Sequence, residues 1–486
     1  MRKMLFTAST ENKPRVIRAI NSFVASPLGV IMLAALAALA FTFSREFEFY
    51  CFVIVYAIYV GLFSDDLSPI MPLFIFCYIT PSAANNPGRS EDSLFYGGKG
   101  LFLLLFVSVG VAVLLLRIAR DKRIGWRRLF LEKRELIPGL LLLGIAFVIS
   151  GLFSRHYLEY ALKNIAFSLI QFLSFFLLYF VLTVSVDWKR FKPSYLAAIG
   201  VLMGLIVIFE LLYTYKTGEV IVRGEIRRDN IYTGWGVYNN LGIIITMAIP
   251  FTHYLAARGK LPALWLFVSL AMLVAVFLTC SRSSILTALF IYLVSIVVTF
   301  IYARHRWQLL IATLSLLGAC AVLALTYREA AAELFARVPK IAELIDGEVV
   351  VRDSSRLALY RDGLDAFWNA RLFGQTFYPI DYSVYDFANL ESFSSFFPPR
   401  WHNTVIQLLA STGLVGISAY AVHRIQTVKL FLRRRKSPSS RLISTYIGLS
   451  LLALLLGSLL DCHLFNVGPV LFYSTALSVF EFGEDK

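Results

Sequence analysis

Six side chains in this sequence are of types that together could handle a phosphate and a hydroxyl. His402 stands in "WHNTVIQLLASTGLVG" (401–416), directly ahead of an apolar, glycine-spaced run. An imidazole titrates near neutrality and can take a proton from a hydroxyl. Asn403 beside it can cap the following helix or orient the ring. Arg282 stands in the short connection "CSRSS" (280–284), among Ser281, Ser283 and Ser284. A guanidinium stays charged and offers a planar fork of donors, which suits phosphate or pyrophosphate better than an ammonium does. Arg228 closes the basic stretch "RGEIRR" (223–228), ahead of the aromatic and glycine-rich "IYTGWGVYNNLG" (231–242). Arg356 and Arg361 belong to "DSSRLALYRDGLDAFWNARLFG" (353–374). Each has a plainer reading as well: a snorkelling interfacial arginine, a solvated loop, a peripheral helix that only packs, or a polar residue at a helix boundary.

The elements that must position these groups are apolar runs. The chain has 486 residues, 58% of them hydrophobic and 16% charged, with a mean hydropathy of +0.70. A soluble domain cannot bury that much apolar surface, whereas a bilayer can. Fourteen runs read as spans: 27–43, 47–63, 67–80, 100–116, 136–153, 165–186, 195–215, 238–255, 261–279, 284–302, 308–326, 403–422, 442–460 and 468–480. Most are long enough to cross the hydrocarbon as helices. None contains Lys or Arg. An N-terminus in the cytoplasm puts 28 of the 46 basic residues inside, including those of 117–134, 187–192 and 423–441. This obeys the positive-inside bias, which also accounts for the net charge of +15 without nucleic acid.

The expected architecture is therefore all-α, a polytopic helical bundle of about 14 spans with both termini cytoplasmic. Residues 1–326 form helices 1–11, 327–402 one large external loop, and 403–486 helices 12–14 with a cytoplasmic tail. In the loop, 353–374 reads as a helix after an Asp/Ser cap, with Leu357, Tyr360, Leu364, Phe367 and Trp368 on one face. Such a helix lies along the membrane interface, apolar side down. Arg282, Arg228, Arg356, Arg361, His402 and Asn403 all fall on the outer side. Glu210, well inside a run, needs a partner or a role. Pairing with the arginines is the plain account of both Glu210 and Asp461, the latter in "DCHLFN" (461–466). The five cysteines show no CxxC spacing, and no metal-ligand set or nucleotide-binding fingerprint is present. No metal and no cofactor is expected.

The order of these pieces resembles the O-antigen ligase and O-antigen polymerase family of bacterial polysaccharide enzymes. The residues that carry the resemblance are "YTGWGVYNNLG", "TCSRSSIL", "SSRLALYRDGLDAFWNARLFG" and "HNTVIQLLASTGLVG", between about Tyr232 and Gly416. Two features depart from the family pattern. Gly374 is followed by Gln375 and Thr376 where the family often has Gly-x-Gly, and fourteen spans exceed the twelve of a typical ligase. The resemblance implies an inverting, metal-independent glycosyl transfer at the outer face of the cytoplasmic membrane. The donor is an oligosaccharide on polyprenyl pyrophosphate and the acceptor a hydroxyl on a glycan or a lipid anchor. Arg282 would hold the pyrophosphate, with Arg356, Arg361, Arg228 and Asn403 binding the lipid-phosphate donor. His402 would deprotonate or orient the acceptor. Partners are the bilayer, the lipid-linked oligosaccharide and a chain-length regulator or flippase.

Within that resemblance a repeat-unit polymerase is preferred for its extra spans, with a ligase next. A cell-wall polymerase of the shape-and-division type would use a carboxylate, for which Asp353, Asp362 and Asp365 are available. A polysaccharide flippase would instead keep charge inside its spans. A polysaccharide-binding receptor or scaffold would need no chemistry at all.

Overall fold

The computed structural model describes residues 14–43, 45–64, 66–76, 134–152, 168–217, 220–222, 225–233, 236–259, 261–303, 305–326, 354–377 and 401–485, with a few positions between 109 and 116. Helices follow the apolar runs. They are α1 (Arg15–Val24), α2 (Pro27–Phe43), α3 (Glu46–Phe63), α4 (Met71–Phe76), α5 (Ile137–Leu152), α6 (Ser168–Ser185), α7 (Pro193–Thr217) and α8 (Tyr238–Arg258). There follow α9 (Pro262–Leu278), α10 (Arg282–Tyr302), α11 (Arg306–Thr326), α12 (Ser354–Asn369), α13 (Thr404–Arg434), α14 (Pro438–Leu460) and α15 (Val467–Phe482). Two minimal antiparallel hairpins, 221–226 and 232–237, lie between α7 and α8. The protein is all-α and membrane-embedded. Among the described residues six helices are long and apolar enough to cross a bilayer, or seven if the α1–α2 pair, bent by 71°, is one span. That is fewer than the fourteen runs expected. The run 100–116 lies almost wholly outside the described residues, and of 67–80 only Ser68–Ile70 (a 3-10 turn) and α4 are described as helical.

The core is built around α8, which is buried along 94% of its most apolar window. It packs against α7, α9, α10 and α14. A span buried all round by other helices meets no lipid, so it can carry polar side chains wherever neighbours satisfy them. His253 does so, with Nδ1 3.0 Å from Thr299 Oγ1 and Nε2 2.9 Å from Ser269 Oγ. α13 forms a second centre, lying against α5, α12 and α14.

The expected span 403–422 is longer than its apolar run and is not one regular helix. α13 continues to Arg434 and breaks at Gly413, where φ is +61° and ψ −155°. Segment 371–376 fills the break. Leu414 N–H donates to Arg371 O at 2.8 Å, and Val415 N–H to Leu372 O at 3.1 Å. In return Ala410 O accepts from Gln375 N–H at 2.7 Å, and Ser411 O from Thr376 N–H at 3.0 Å. The break lies nine residues, or about 14 Å, into the helix. Unpaired backbone at that depth is costly, so irregular chain is tolerated only where protein satisfies it. Phe377, fully buried, ends the inserted segment between Phe147 and Phe465, with ring centroids at 5.5 and 5.4 Å.

This insertion also corrects the expected helix 353–374. α12 stops at Asn369, and 370–376 turns away from its axis to fill the break in α13. Gly374 sits at φ +72° and Thr376 at φ +75°, so the Thr in place of the family's second glycine still takes the left-handed backbone. Of the expected stripe, Leu357, Leu364 and Trp368 are exposed (54%, 39% and 58%). α12 instead turns Gly363 and Ala366 inward, and a Cβ at Gly363 would meet Ile406 at 2.5 Å.

Gly413 has backbone angles open essentially only to glycine, and a Cβ there would sit 2.5 Å from the carbonyls of Arg371 and Leu372. Gly413→Ala is expected to cost at least about 1–3 kcal/mol. The control is Gly318→Ala in α11, where an added Cβ meets nothing within 4 Å. Thermal unfolding of the two variants in detergent should separate them clearly; equal melting temperatures would discount the break as a structural device.

Candidate active site

The site is assembled at one end of the bundle by three helix starts and one helix end. Asn403 caps α13, its Oδ1 accepting from Val405 N–H at 2.9 Å and Ile406 N–H at 3.2 Å. Its Nδ2 donates to Leu459 O at 2.9 Å, which ties α13 to the end of α14. The side chain expected to bind donor is thus committed to holding the turn that carries His402. His402 has φ +51°, a region unfavourable for non-glycine residues. Its carbonyl accepts the Tyr360 hydroxyl of α12 at 3.3 Å. Its imidazole is about one-third exposed, with Nδ1 3.2 Å from Asp461 Oδ1.

Asp461 is buried at the end of α14. Oδ1 also accepts Cys462 N–H at 2.7 Å, and Oδ2 accepts Asn239 Nδ2 at 2.8 Å. Asn239 is the second residue of α8, and its Oδ1 accepts the Ser281 hydroxyl at 2.7 Å. Ser281 caps α10, whose first residue is Arg282. A continuous chain, His402–Asp461–Asn239–Ser281, therefore joins the histidine turn to the arginine turn. Residues far apart in sequence meet because α8, α10 and α13 all begin, and α14 ends, at this face.

Arg282 is half-buried and makes no hydrogen bond or ion pair among the described residues. The residue two before it in sequence, Cys280, also has a positive φ, +56°. Strained backbone thus sits in the turns carrying both expected catalytic residues, a pattern that clusters at functional sites. Arg228 lies over the ring of Tyr238, 5.4 Å from its centroid, beside Asn239. Arg356 and Arg361 flank Tyr360 on α12, Arg356 half-buried and Arg361 exposed. Hydrogen bonds thus tie His402, Asn403 and the Arg282 turn to one network, which α12 joins through Tyr360; Arg228 stacks on Tyr238 next to it, and no hydrogen bond brings Arg356 or Arg361 into it among the described residues. Two members escaped the sequence reading: Asn239, present only inside a quoted motif, and Asp461, expected to pair with an arginine but bonded here to His402 and Asn239. The signal available was a polar residue at the mouth of each span, which does not reveal who meets whom. Glu210 is fully buried in α7. Beside the chain a second cluster locks the α14–α15 connection: Asn240 Oδ1 meets His463 Nδ1 at 3.2 Å and is also bonded by Asn466 Nδ2.

Residues 267–421 match the family model of O-antigen ligase. The match supports the resemblance to O-antigen ligases and polymerases drawn from the motifs. It takes in α9 to α12 and the first part of α13, hence Arg282, Arg356, Arg361, His402 and Asn403. Asn239 and Asp461 fall on either side of the matched segment, so the network closes only when the flanking helices pack on it. No curated protein matches the chain.

Removing Asn239 leaves Asp461 and Ser281 each short of a buried partner. Asn239→Ala should cost about 1–3 kcal/mol. The double variant with Asp461→Ala should fall short of the summed single losses by about 0.5 kcal/mol or more, because the two share one bond. Strictly additive losses in denaturant titrations would mean that the chain is not energetically connected.

Proposed function

We propose that the protein is a glycosyltransferase that moves an oligosaccharide from a polyprenyl-pyrophosphate carrier to an acceptor hydroxyl at the outer face of the cytoplasmic membrane. The observation that carries this reading is the hydrogen-bonded chain from His402 to the Arg282 turn, which puts a proton acceptor and a guanidinium without a partner among the described residues on one framework. Asp461 accepts from His402 Nδ1, so the other ring nitrogen, Nε2, presents its lone pair to the exposed side. The acceptor hydroxyl loses its proton to Nε2 as its oxygen bonds the anomeric carbon. The bond from that carbon to the pyrophosphate oxygen breaks on the opposite face, which inverts the configuration, and the electron pair leaves with the pyrophosphate. Arg282 neutralises that developing charge, a role otherwise open to a divalent cation. Arg356, Arg361 and Arg228 supply further positive charge toward the lipid-phosphate donor, while Asn403 acts through the turn it caps.

The sidedness rests on the two ends of α13. His402 and the candidate site lie at one end. Arg433 and Arg434 lie at the other, where Arg433 pairs with Glu135, and Arg258 meets Asp485 at 2.7 Å. Basic residues gather at that second end, as cytoplasmic loops do. Repeat-unit polymerisation is the preferred activity, with both substrates lipid-linked. Transfer to a lipid core or surface anchor is the second reading, favoured by the ligase description of the matched family.

Purified protein in liposomes, given lipid-linked oligosaccharide, should release polyprenyl pyrophosphate and lengthen or transfer the glycan. His402→Ala is expected to lower the rate by about 10²–10⁴-fold, and Arg282→Ala by about 10²–10³-fold. Full activity in either folded variant would remove that residue from the site; lipid reaching the opposite leaflet without transfer would point to a flippase. In a background with the five native cysteines replaced, Asp365→Cys should react with an impermeant thiol reagent from outside, and Lys436→Cys should not.

A further inference from the structure

One buried amide joins the two turns that carry the His402–Asp461 pair. Gln407 lies in the first turn of α13, four residues after the Asn403 cap, and is 2% exposed. Its Oε1 accepts Trp401 N–H at 3.1 Å and the Cys462 thiol at 3.5 Å. Trp401 directly precedes His402, and Cys462 directly follows Asp461. One oxygen therefore grips a chain neighbour of each partner. The other end of the amide is fixed as well. Nε2 donates to Ser411 Oγ at 3.0 Å. The Ser411 carbonyl accepts Thr376 N–H at 3.0 Å and the Ser150 hydroxyl of α5. The backbone donor at Trp401 requires the amide oxygen on that side, so the network assigns the orientation of the side chain.

This grip bears on the strained turn. At φ +51° His402 holds a conformation that is costly for a residue with a Cβ. Such a conformation persists only when surrounding contacts fix the chain on both sides of it. On the far side Asn403 caps α13 and Tyr360 donates to the His402 carbonyl. On the near side Gln407 holds Trp401 N–H. Without that bond the turn can relax out of the left-handed region and carry the imidazole away from Asp461. The same loss frees the Cys462 thiol, whose residue donates its N–H to Asp461 Oδ1.

We propose that Gln407 is a positioning residue for the transfer, holding His402 and Asp461 in register so that the imidazole faces the acceptor hydroxyl. This role rests on the reading of His402 as the base, and the experiment separates the two. Gln407→Met keeps the length of the side chain but removes both of its polar groups. In liposomes with lipid-linked oligosaccharide it should lower kcat by about 10–100-fold and leave KM unchanged, because Gln407 touches no substrate. Gln407→Glu keeps an acceptor oxygen in the same place and should retain more of the rate; equal loss in the two variants would overturn the part given to Oε1. In a His402→Ala background Gln407→Met should lower the residual rate no further, whereas a general loosening of the fold would lower it in both backgrounds. Full kcat in Gln407→Met beside an impaired His402→Ala would overturn the proposal and leave His402 as the base. The hold is also readable without substrate. In detergent, the fall in melting temperature caused by His402→Ala should be smaller in Gln407→Met than in wild type. Equal falls in the two backgrounds would overturn the proposal whatever the protein transfers.

Discussion

The Asp461 carboxylate is the point on which the candidate site depends. It is buried at the end of α14 and receives hydrogen bonds from Cys462 N–H, Asn239 and His402. A buried charge is tolerable when it is surrounded by well-placed donors. Here the donors come from its own turn, from the start of α8 and from the turn ahead of α13. The stabilisation of one carboxylate therefore fixes the relative placement of three helix ends. The fourth, the Arg282 turn, is reached through Asn239 and Ser281.

Irregular backbone plays the complementary part. The turn at His402 and the turn at Cys280 are both held at positive φ, and segment 371–376 leaves the surface to complete the broken α13. Strain of this kind persists only where surrounding contacts over-determine it. Asn403 supplies those contacts at His402, the α12 hydroxyl of Tyr360 adds one more, and the inserted segment binds α12 to the body of the bundle. The loop arginines are thus carried on a rigid arm that shares backbone hydrogen bonds with a span.

Much of this was legible in the sequence. Apolar runs located the helices, and His402, Arg282 and Asn403 were identifiable as polar residues at span mouths. Local chemistry decides these features, through hydropathy, helix capping and charge. Three things came only from the tertiary structure. The first is the pairing of His402 with Asp461 across 59 positions and of Asp461 with Asn239 across 222. The second is the break at Gly413: the sequence shows a small residue, while the carbonyls that forbid a side chain there belong to Arg371 and Leu372. The third is the extension of α13 past its apolar run, which sets Arg424, a residue that hydropathy assigns to a loop, against the rings of Tyr420 and Tyr473. In each case the deciding partner lies on another element. A helical sequence encodes its own hydrogen bonds through local preference, but which helix ends become neighbours is set by packing of the whole bundle.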